Sequence, residues 1–580
     1  MRHDLVIRGG ELADGHGGPL RSADVAVDNG RISAVGHVAG SGREEIDARG
    51  KLVTPGFVDI HTHYDGQACW DERLQPSSWH GVTTAVMGNC GVGFAPVHAH
   101  HRQRLVELME GVEDIPGTAL HEGLRWQWES FGDYLDTLAP HPRDIDIAAQ
   151  LPHGALRVFV MGERGARLEA ATADDRAQMR QLAAEAMRAG AIGFSTSRSV
   201  NHRSIKGEPT PSLRAAEDEL QAIAAGLKDA GRGVLQFISD FNVPSLQEEF
   251  AMLTRLVRDS GRPLSFSLAQ SHRSPEGWRQ LLALTTDANA RGLAMTAQVA
   301  PRPIGVLLGL QGSRNPFSGC PSVQAMAHLS LDQRLALLHQ PAVRSRILAE
   351  LQQLDGRPAD PLLPRFSDFS RIYAFGNPPD YEPPPELAIT AIAQQRGQTP
   401  AETAYDMLLG DNGRAFLFAP FANYAQGHLD ACRAMLAHPH TVPGLGDGGA
   451  HVSVISDGSF PTTLLTHWGR DRAHGRFDLG WLVKRQTADT ARTVGLHDRG
   501  LVAPGYKADL NVIDMARLQA LAPVMASDLP AGGQRLLQRA TGYDATIVSG
   551  VPIYRHGEAT GALPGQLVRG QQAVPAVSAG

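Results

Sequence analysis

From residue 57 onward the hydrophobic pattern switches repeatedly between short unbroken apolar runs and the three-to-four-residue spacing of amphipathic helices. A chain that does this builds βα units around a parallel sheet. Eight runs read as strands, at 57–63, 82–87, 147–151, 191–195, 233–238, 264–269, 294–299 and 442–446. The helices between them are legible too. Met179, Leu182, Ala183, Ala186 and Met187 keep one apolar face between Thr172 as N-cap and Gly190 as the stop. Eight such units predict an α/β fold of the (β/α)8 barrel type, whose chemistry sits at the carboxyl ends of its strands.

The two ends of the chain follow a different grammar. Residues 5–7, 24–27 and 32–35 read as short strands with Asn29-Gly30 as a hairpin turn, and 509–513, 546–548 and 551–554 repeat the pattern around Ser549-Gly550. Neither end could bury a core alone, so pairing between them is expected. The predicted organisation is a composite β-sandwich from 1–54 plus 498–580, a barrel over 55–497, and an insertion over 300–440. Asn377-Pro378-Pro379, Pro383-Pro384-Pro385 and a capped helix at Thr399-Pro400-Ala401-Glu402 mark the insertion as several helices over the barrel mouth, in position to act as a lid.

Composition narrows the partners. The net charge is −7 with no long run of one sign, which argues against nucleic acid or an anionic membrane and favours a small-molecule substrate. No signal-peptide pattern opens the sequence and no apolar stretch reaches the roughly 18 residues that span a bilayer, so a soluble, cytoplasmic protein is expected. The four cysteines form no CxxC pair and are too scattered for a disulfide framework. A homo-oligomer is left open.

Against that background one motif stands out. Pro55-Gly56-Phe57-Val58-Asp59-Ile60-His61-Thr62-His63 is an apolar strand ending in His-x-His. Side chains alternate along a strand, so His61 and His63 point the same way, about 6.6 Å apart, a spacing at which two imidazoles meet one metal. The alternative is a surface loop with no ligand role. Strand two ends in Gly88-Asn89-Cys90-Gly91, where Cys90 offers a thiolate to the same metal or is a buried, inert cysteine. The last strand ends in Gly446-Asp447-Gly448-Gly449, and Asp447 faces strand one across a closed barrel. It can bind metal and take a proton from water, or it is an ordinary Asp-Gly turn.

These segments, with Gly81-Val82-Thr83-Thr84, Gly193-Phe194-Ser195-Thr196 and Pro504-Gly505-Tyr506-Lys507-Ala508-Asp509-Leu510, resemble the amidohydrolase superfamily, and within it the N-acyl-D-amino-acid deacylase (D-aminoacylase) branch. The likeness runs through almost the whole chain. It implies a β-sandwich beside the barrel, one or two Zn²⁺ ions, His61, His63 and Cys90 as ligands, and Asp447 as ligand and general acid/base. The activity implied is zinc-dependent hydrolysis of non-peptide C–N bonds, deacylating N-acyl-D-amino acids or related N-acyl compounds. Family members also take histidine ligands from strands five and six. Strand five here, Val234-Leu235-Gln236-Phe237-Ile238-Ser239, has none, and strand six offers only His272, one or two places late. The five lysines, Lys51, Lys206, Lys228, Lys484 and Lys507, avoid the strand ends, which disfavours a bridging carboxylated lysine of the hydantoinase kind.

Weaker candidates surround this set. Arg198 and His202 after strand four, and His153 after strand three, could hold a substrate carboxylate or be solvated loop residues. His451, four residues after Asp447, could support the site from behind. Two other readings stay open: a different reaction on the same scaffold, such as cyclic-amide hydrolysis or deamination, and a metal-free, non-enzymatic scaffold.

Overall fold

The computed structural model describes residues 2–241, 245–354 and 368–576. The apolar runs become strands because both faces are covered: 82–87 and 146–152 are buried at every position, the pattern of a parallel sheet sealed by side chains inside and helices outside. In chain order they are β1 (Phe57–Asp59), β2 (Val82–Met87), β3 (Asp146–Pro152), β4 (Gly193–Arg198), β5 (Val234–Ser239), β6 (Leu264–Ser267), β7 (Met295–Val299) and β8 (Thr441–Pro443). Each pairs in parallel with the next. The helix over 173–189 shows how the sequence sets these units. Thr172 and Asp175 form a reciprocal capping box, Gly190 at φ +123° ends the helix, and Met179, Ala183, Ala186 and Met187 are buried.

β1 is shorter than its apolar run. Past Asp59 the chain swings toward the segment after β8: Thr62 and Gly448 form a parallel bridge, Asp447 N donates to His61 O at 2.9 Å, and His63 N to Gly448 O at 2.8 Å. The barrel is therefore closed by the residues that carry the His-x-His and Asp-Gly motifs.

Strands from both chain ends form one nine-stranded sheet. Leu52–Pro55 runs antiparallel to Leu510–Ile513, which pairs with Tyr543–Val548. Strand Arg2–Leu12 changes partner midway, from Ser41–Asp47 to Leu52–Val53, at an irregularity around Gly9, whose φ is +64°. That shift is how one strand serves two layers. Leu5, Ile7, Val25 and Val53 share a core with Leu510, Val512 and Ile547. Both hairpin turns, Asn29-Gly30 and Ser549-Gly550, have positive φ at each central residue, as a type I′ turn requires.

Between β7 and β8 the insertion contains more than the expected helices. Ile304–Gly309, Phe416–Ala422 and Tyr373–Phe375 form an antiparallel sheet over a separate core that includes Leu308, Ile347, Ile389 and Leu408. Short continuous apolar runs do not distinguish a buried strand from a buried helical segment, and Ile304–Gly309 pairs with Phe416–Ala422 across more than a hundred residues of sequence. The insertion grips the segments that follow β6 and β8. Asn423 N donates to Gln270 O at 2.9 Å and Leu307 N to Val454 O at 2.6 Å, which places it at the carboxyl ends of the strands. Among the described residues no helix is long and apolar enough to cross a membrane.

Candidate metal centre

Three turns at the carboxyl end of the barrel bring the site together. His61 and His63 leave β1 with Thr62 facing the other way, its hydroxyl donating to Val86 O at 2.8 Å. The ring centroids lie 5.6 Å apart. After β2 the chain reverses through Gly88, Cys90 and Gly91, all at positive φ. A Cβ on Gly88 would stand 2.4 Å from Gln150 O, so the turn admits no side chain there. Asn89 pins it, its Nδ2 donating to Val86 O at 2.9 Å and Thr62 O at 3.1 Å while its Oδ1 accepts from Gln150 Nε2 at 2.8 Å. Cys90 N is 3.3 Å from Gln236 Oε1. Asp447, after β8, also has positive φ. A non-glycine residue in that region costs on the order of 1 kcal/mol or more and is kept only where its surroundings demand it.

The result is a convergent set of donors. Cys90 Sγ is 3.2 Å from His61 Nε2 and 3.6 Å from His63 Nε2. Asp447 Oδ1 is 3.4 Å and 3.6 Å from the same two nitrogens. Among the described residues, His61, His63 and Cys90 form the one group of three or more such side chains close enough to hold an ion together. Behind the imidazoles, His61 Nδ1 is 2.8 Å from Gln298 Oε1 and His63 Nδ1 is 3.3 Å from Glu113 Oε1.

Burial dominates the electrostatics. It pushes His61 down to about 4, with His63 adding to the effect, and pushes the Cys90 thiol up to about 12. Burial also acts against charge on His63 and on Asp447, but it is outweighed in both. Glu113 and Cys90 hold His63 well above its ordinary range, and His63 and His61 hold Asp447 below the usual carboxylate range. Asp59, whose Oδ1 accepts from His61 N at 3.1 Å, is raised by burial to about 7.

The weaker candidates fall in different places. His202 belongs near the centre: its Nδ1 lies 2.9 Å from Ser197 Oγ, and burial, with His451 and His63 adding, lowers it to about 3. His451 Nε2 is 3.5 Å from Glu113 Oε2. Arg198 is committed elsewhere, its Nε donating to Glu249 Oε1 and its Nη1 to Ala215 O, both at 2.6 Å. His153 has both ring nitrogens engaged, 2.8 Å from Thr196 Oγ1 and 2.8 Å from Glu219 Oε1. His272 is a correction to the expected ligand set. β6 ends at Ser267, and by Ser271 the chain is paired with Ala422 of the insertion. This carries His272 away to Arg371, whose Nη1 is 2.6 Å from its Nδ1.

Glu113 and Gln298 were not singled out from the sequence. Gln298 had a signal, a polar residue inside the apolar run of β7. Glu113 had none, being the last residue of helix Arg102–Glu113.

A family model described as the amidohydrolase family matches residues 44–554. The chain belongs to the amidohydrolase family. The D-aminoacylase of Alcaligenes xylosoxydans xylosoxydans is 29% identical, the match covering 97% of this chain and 97% of that one. The N-acyl-D-aspartate deacylase of the same organism is 28% identical over 99% and 96%. A solved D-aminoacylase structure, concerned with its binuclear metal centre, superposes with a TM-score of 0.64 at 26% identity, covering 98% of this chain and 100% of that one. The residues of this amidohydrolase fit a cation. Two imidazole nitrogens and a sulfur face one point, and Asp447 Oδ1, buried beside them, has no hydrogen-bond partner, an arrangement that is costly unless a positive charge completes it.

Proposed function

We propose that this amidohydrolase removes the acyl group from N-acyl-D-amino acids, with Zn²⁺ held by His61, His63, Cys90 and Asp447. The observation that carries the reading is the convergence of His61 Nε2, His63 Nε2, Cys90 Sγ and Asp447 Oδ1. Nitrogen, sulfur and carboxylate donors together suit zinc among the common divalent ions. The long resemblance to a D-aminoacylase and an N-acyl-D-aspartate deacylase supports the substrate class.

A cation bound there supplies Lewis-acid activation of water and of the scissile carbonyl. The protein does the rest. Asp447, kept ionised by His63 and His61, accepts the proton of the attacking water at its carboxylate and returns it to the departing amine. His61, which burial keeps neutral, retains a lone pair for the cation. His202 is the nearby group suited to a substrate carboxylate, Arg198 being bound to Glu249 and His451 facing Glu113. The insertion is joined to the Asp447 loop through Leu307 and Val454, which puts it in position to border the substrate. The lysines are occupied in ion pairs and backbone contacts outside this set, Lys507 for example with Asp146 and Asp509, which speaks against a carboxylated-lysine centre.

The test is a panel of N-acetyl-D- and N-acetyl-L-amino acids, cyclic imides and aminated heterocycles, with free amine and ammonia both assayed before and after zinc removal. Release of free D-amino acid that stops with the metal is the expected result. Ammonia from a heterocycle alone, or full activity without metal, overturns the reading.

A further inference from the structure

The two ligand imidazoles present Nε2 to Cys90 and so turn Nδ1 away from the centre, but what stands behind them differs. His61 Nδ1 meets Gln298 Oε1, a neutral amide that is itself fixed by Nε2 donating to Ser265 Oγ at 3.0 Å. His63 Nδ1 meets a carboxylate, Glu113 Oε1 at 3.3 Å. Glu113 is 1% exposed, and neither of its oxygens has a hydrogen-bond partner. Its other oxygen lies 3.5 Å from His451 Nε2. As the last residue of helix Arg102–Glu113 it also sits at the negative end of the helix dipole, where an acidic group is disfavoured. A carboxylate sealed from water at that position is unfavourable twice over, and two imidazoles are what offset it.

We propose that Glu113 is a positioning residue for the metal centre. It holds His63 with the proton on Nδ1 and the lone pair on Nε2, fixes the plane of the ring, and through His451 ties the Asp447 loop to the same carboxylate. His451 N also donates to the backbone oxygen of Glu113, so the helix end and the loop are joined twice. A carboxylate behind a ligand histidine raises the donor strength of its ring, which an amide does less well. His63 is thus the stronger imidazole donor of the pair. The inference rests on reading His61, His63 and Cys90 as a zinc site.

Zinc affinity, measured by chelator competition, and the near-ultraviolet thiolate absorption of the Co²⁺-loaded protein are compared for wild type, Glu113→Gln and Glu113→Asp. Thermal melting of the metal-free forms is measured alongside. Glu113→Gln is expected to weaken zinc 10- to 100-fold and shift the Co²⁺ spectrum, while its metal-free form melts no lower than metal-free wild type, because a neutral amide is cheaper to bury. Unchanged affinity and spectrum, with a lower melting temperature, would make Glu113 a structural residue and overturn the proposal. Should Glu113→Gln fail to fold, Glu113→Asp, which keeps the charge and loses the reach, is judged on the same readouts. A wild type that binds no zinc removes the centre itself. A wild type that binds zinc no better than a folded Glu113 variant removes only the role of Glu113.

Discussion

Asp447 and His61 are joined twice, by a backbone hydrogen bond of 2.9 Å from Asp447 N to His61 O and by a 3.4 Å approach of Asp447 Oδ1 to His61 Nε2. The first link belongs to the closure of the barrel and the second to the candidate site. Closing the fold and assembling the chemistry are therefore one event, and a side-chain change at Asp447 should separate them.

Asp447→Asn keeps the backbone bond and the side-chain volume but removes the proton acceptor. Turnover of an N-acyl-D-amino acid should fall by about 10²- to 10⁴-fold, with the melting temperature close to that of wild type. Steady-state kinetics and calorimetry on the same preparation check this. A variant within tenfold of wild-type turnover would leave Asp447 without its assigned role.

Cys90→Ser replaces the sulfur by a weaker zinc donor in a turn whose shape is set by Gly88, Asn89 and Gly91. Zinc affinity should drop at least tenfold, and His61→Ala should lose the metal altogether. Metal stoichiometry after dialysis reads both. Full zinc content in Cys90→Ser alone would take the thiolate out of the site while leaving the imidazoles in it.

Arg198 and His202 should behave oppositely. Glu249 is 3% exposed and loses its ionic partner in Arg198→Ala, so stability should fall by about 3–5 kcal/mol with KM little changed in the protein that remains folded. His202→Ala should leave stability nearly intact and raise KM. Urea titration and substrate saturation curves separate the two, and a raised KM for Arg198→Ala with normal stability would reverse the assignment.

Acid should loosen the joint between the insertion and the helices after β8. Glu382 lies 2.8 Å from His467 Nε2 and 2.9 Å from Arg472 Nη2. Burial opposes its charge, but His467 and Arg472 bring its carboxyl down to about 2. A depressed carboxyl contributes stability that is complete above its unfolded value near 4.5 and is lost as the pH falls from there toward 2. The contribution is on the order of 2–3 kcal/mol, discounted for partial exposure. Glu382→Gln should therefore be less stable than wild type at pH 7 and converge with it only as the pH approaches about 2. Denaturant unfolding across that range is the check, and parallel curves would exclude the mechanism.

The sequence was most readable where local chemistry decides. Strand 82–87 has no charged residue and only β-branched Thr83 and Thr84 among its apolar side chains, Thr172 and Gly190 punctuate a helix unaided, and Asn29-Gly30 demands its turn. His61, His63 and Cys90 could be singled out because a strand's alternation and a glycine-rich turn are local facts. Glu113 could not, because only the tertiary fold carries the end of helix Arg102–Glu113 beneath His63. The same limit applies to the insertion's sheet, whose partners Ile304–Gly309 and Phe416–Ala422 meet across a long stretch of chain. His272 misled for a related reason. Its nearness to β6 in sequence gave no sign that the chain leaves the barrel at Ser267 to join the insertion.

The shared sheet has a consequence for the order of synthesis. Leu52–Pro55 leads directly into β1, yet its antiparallel neighbour, Leu510–Ile513, is translated only after all eight barrel strands. Until that neighbour leaves the ribosome, the N-terminal layer has an open edge able to pair with another nascent chain. Premature termination before residue 510 should thus yield aggregates rather than a smaller folded enzyme.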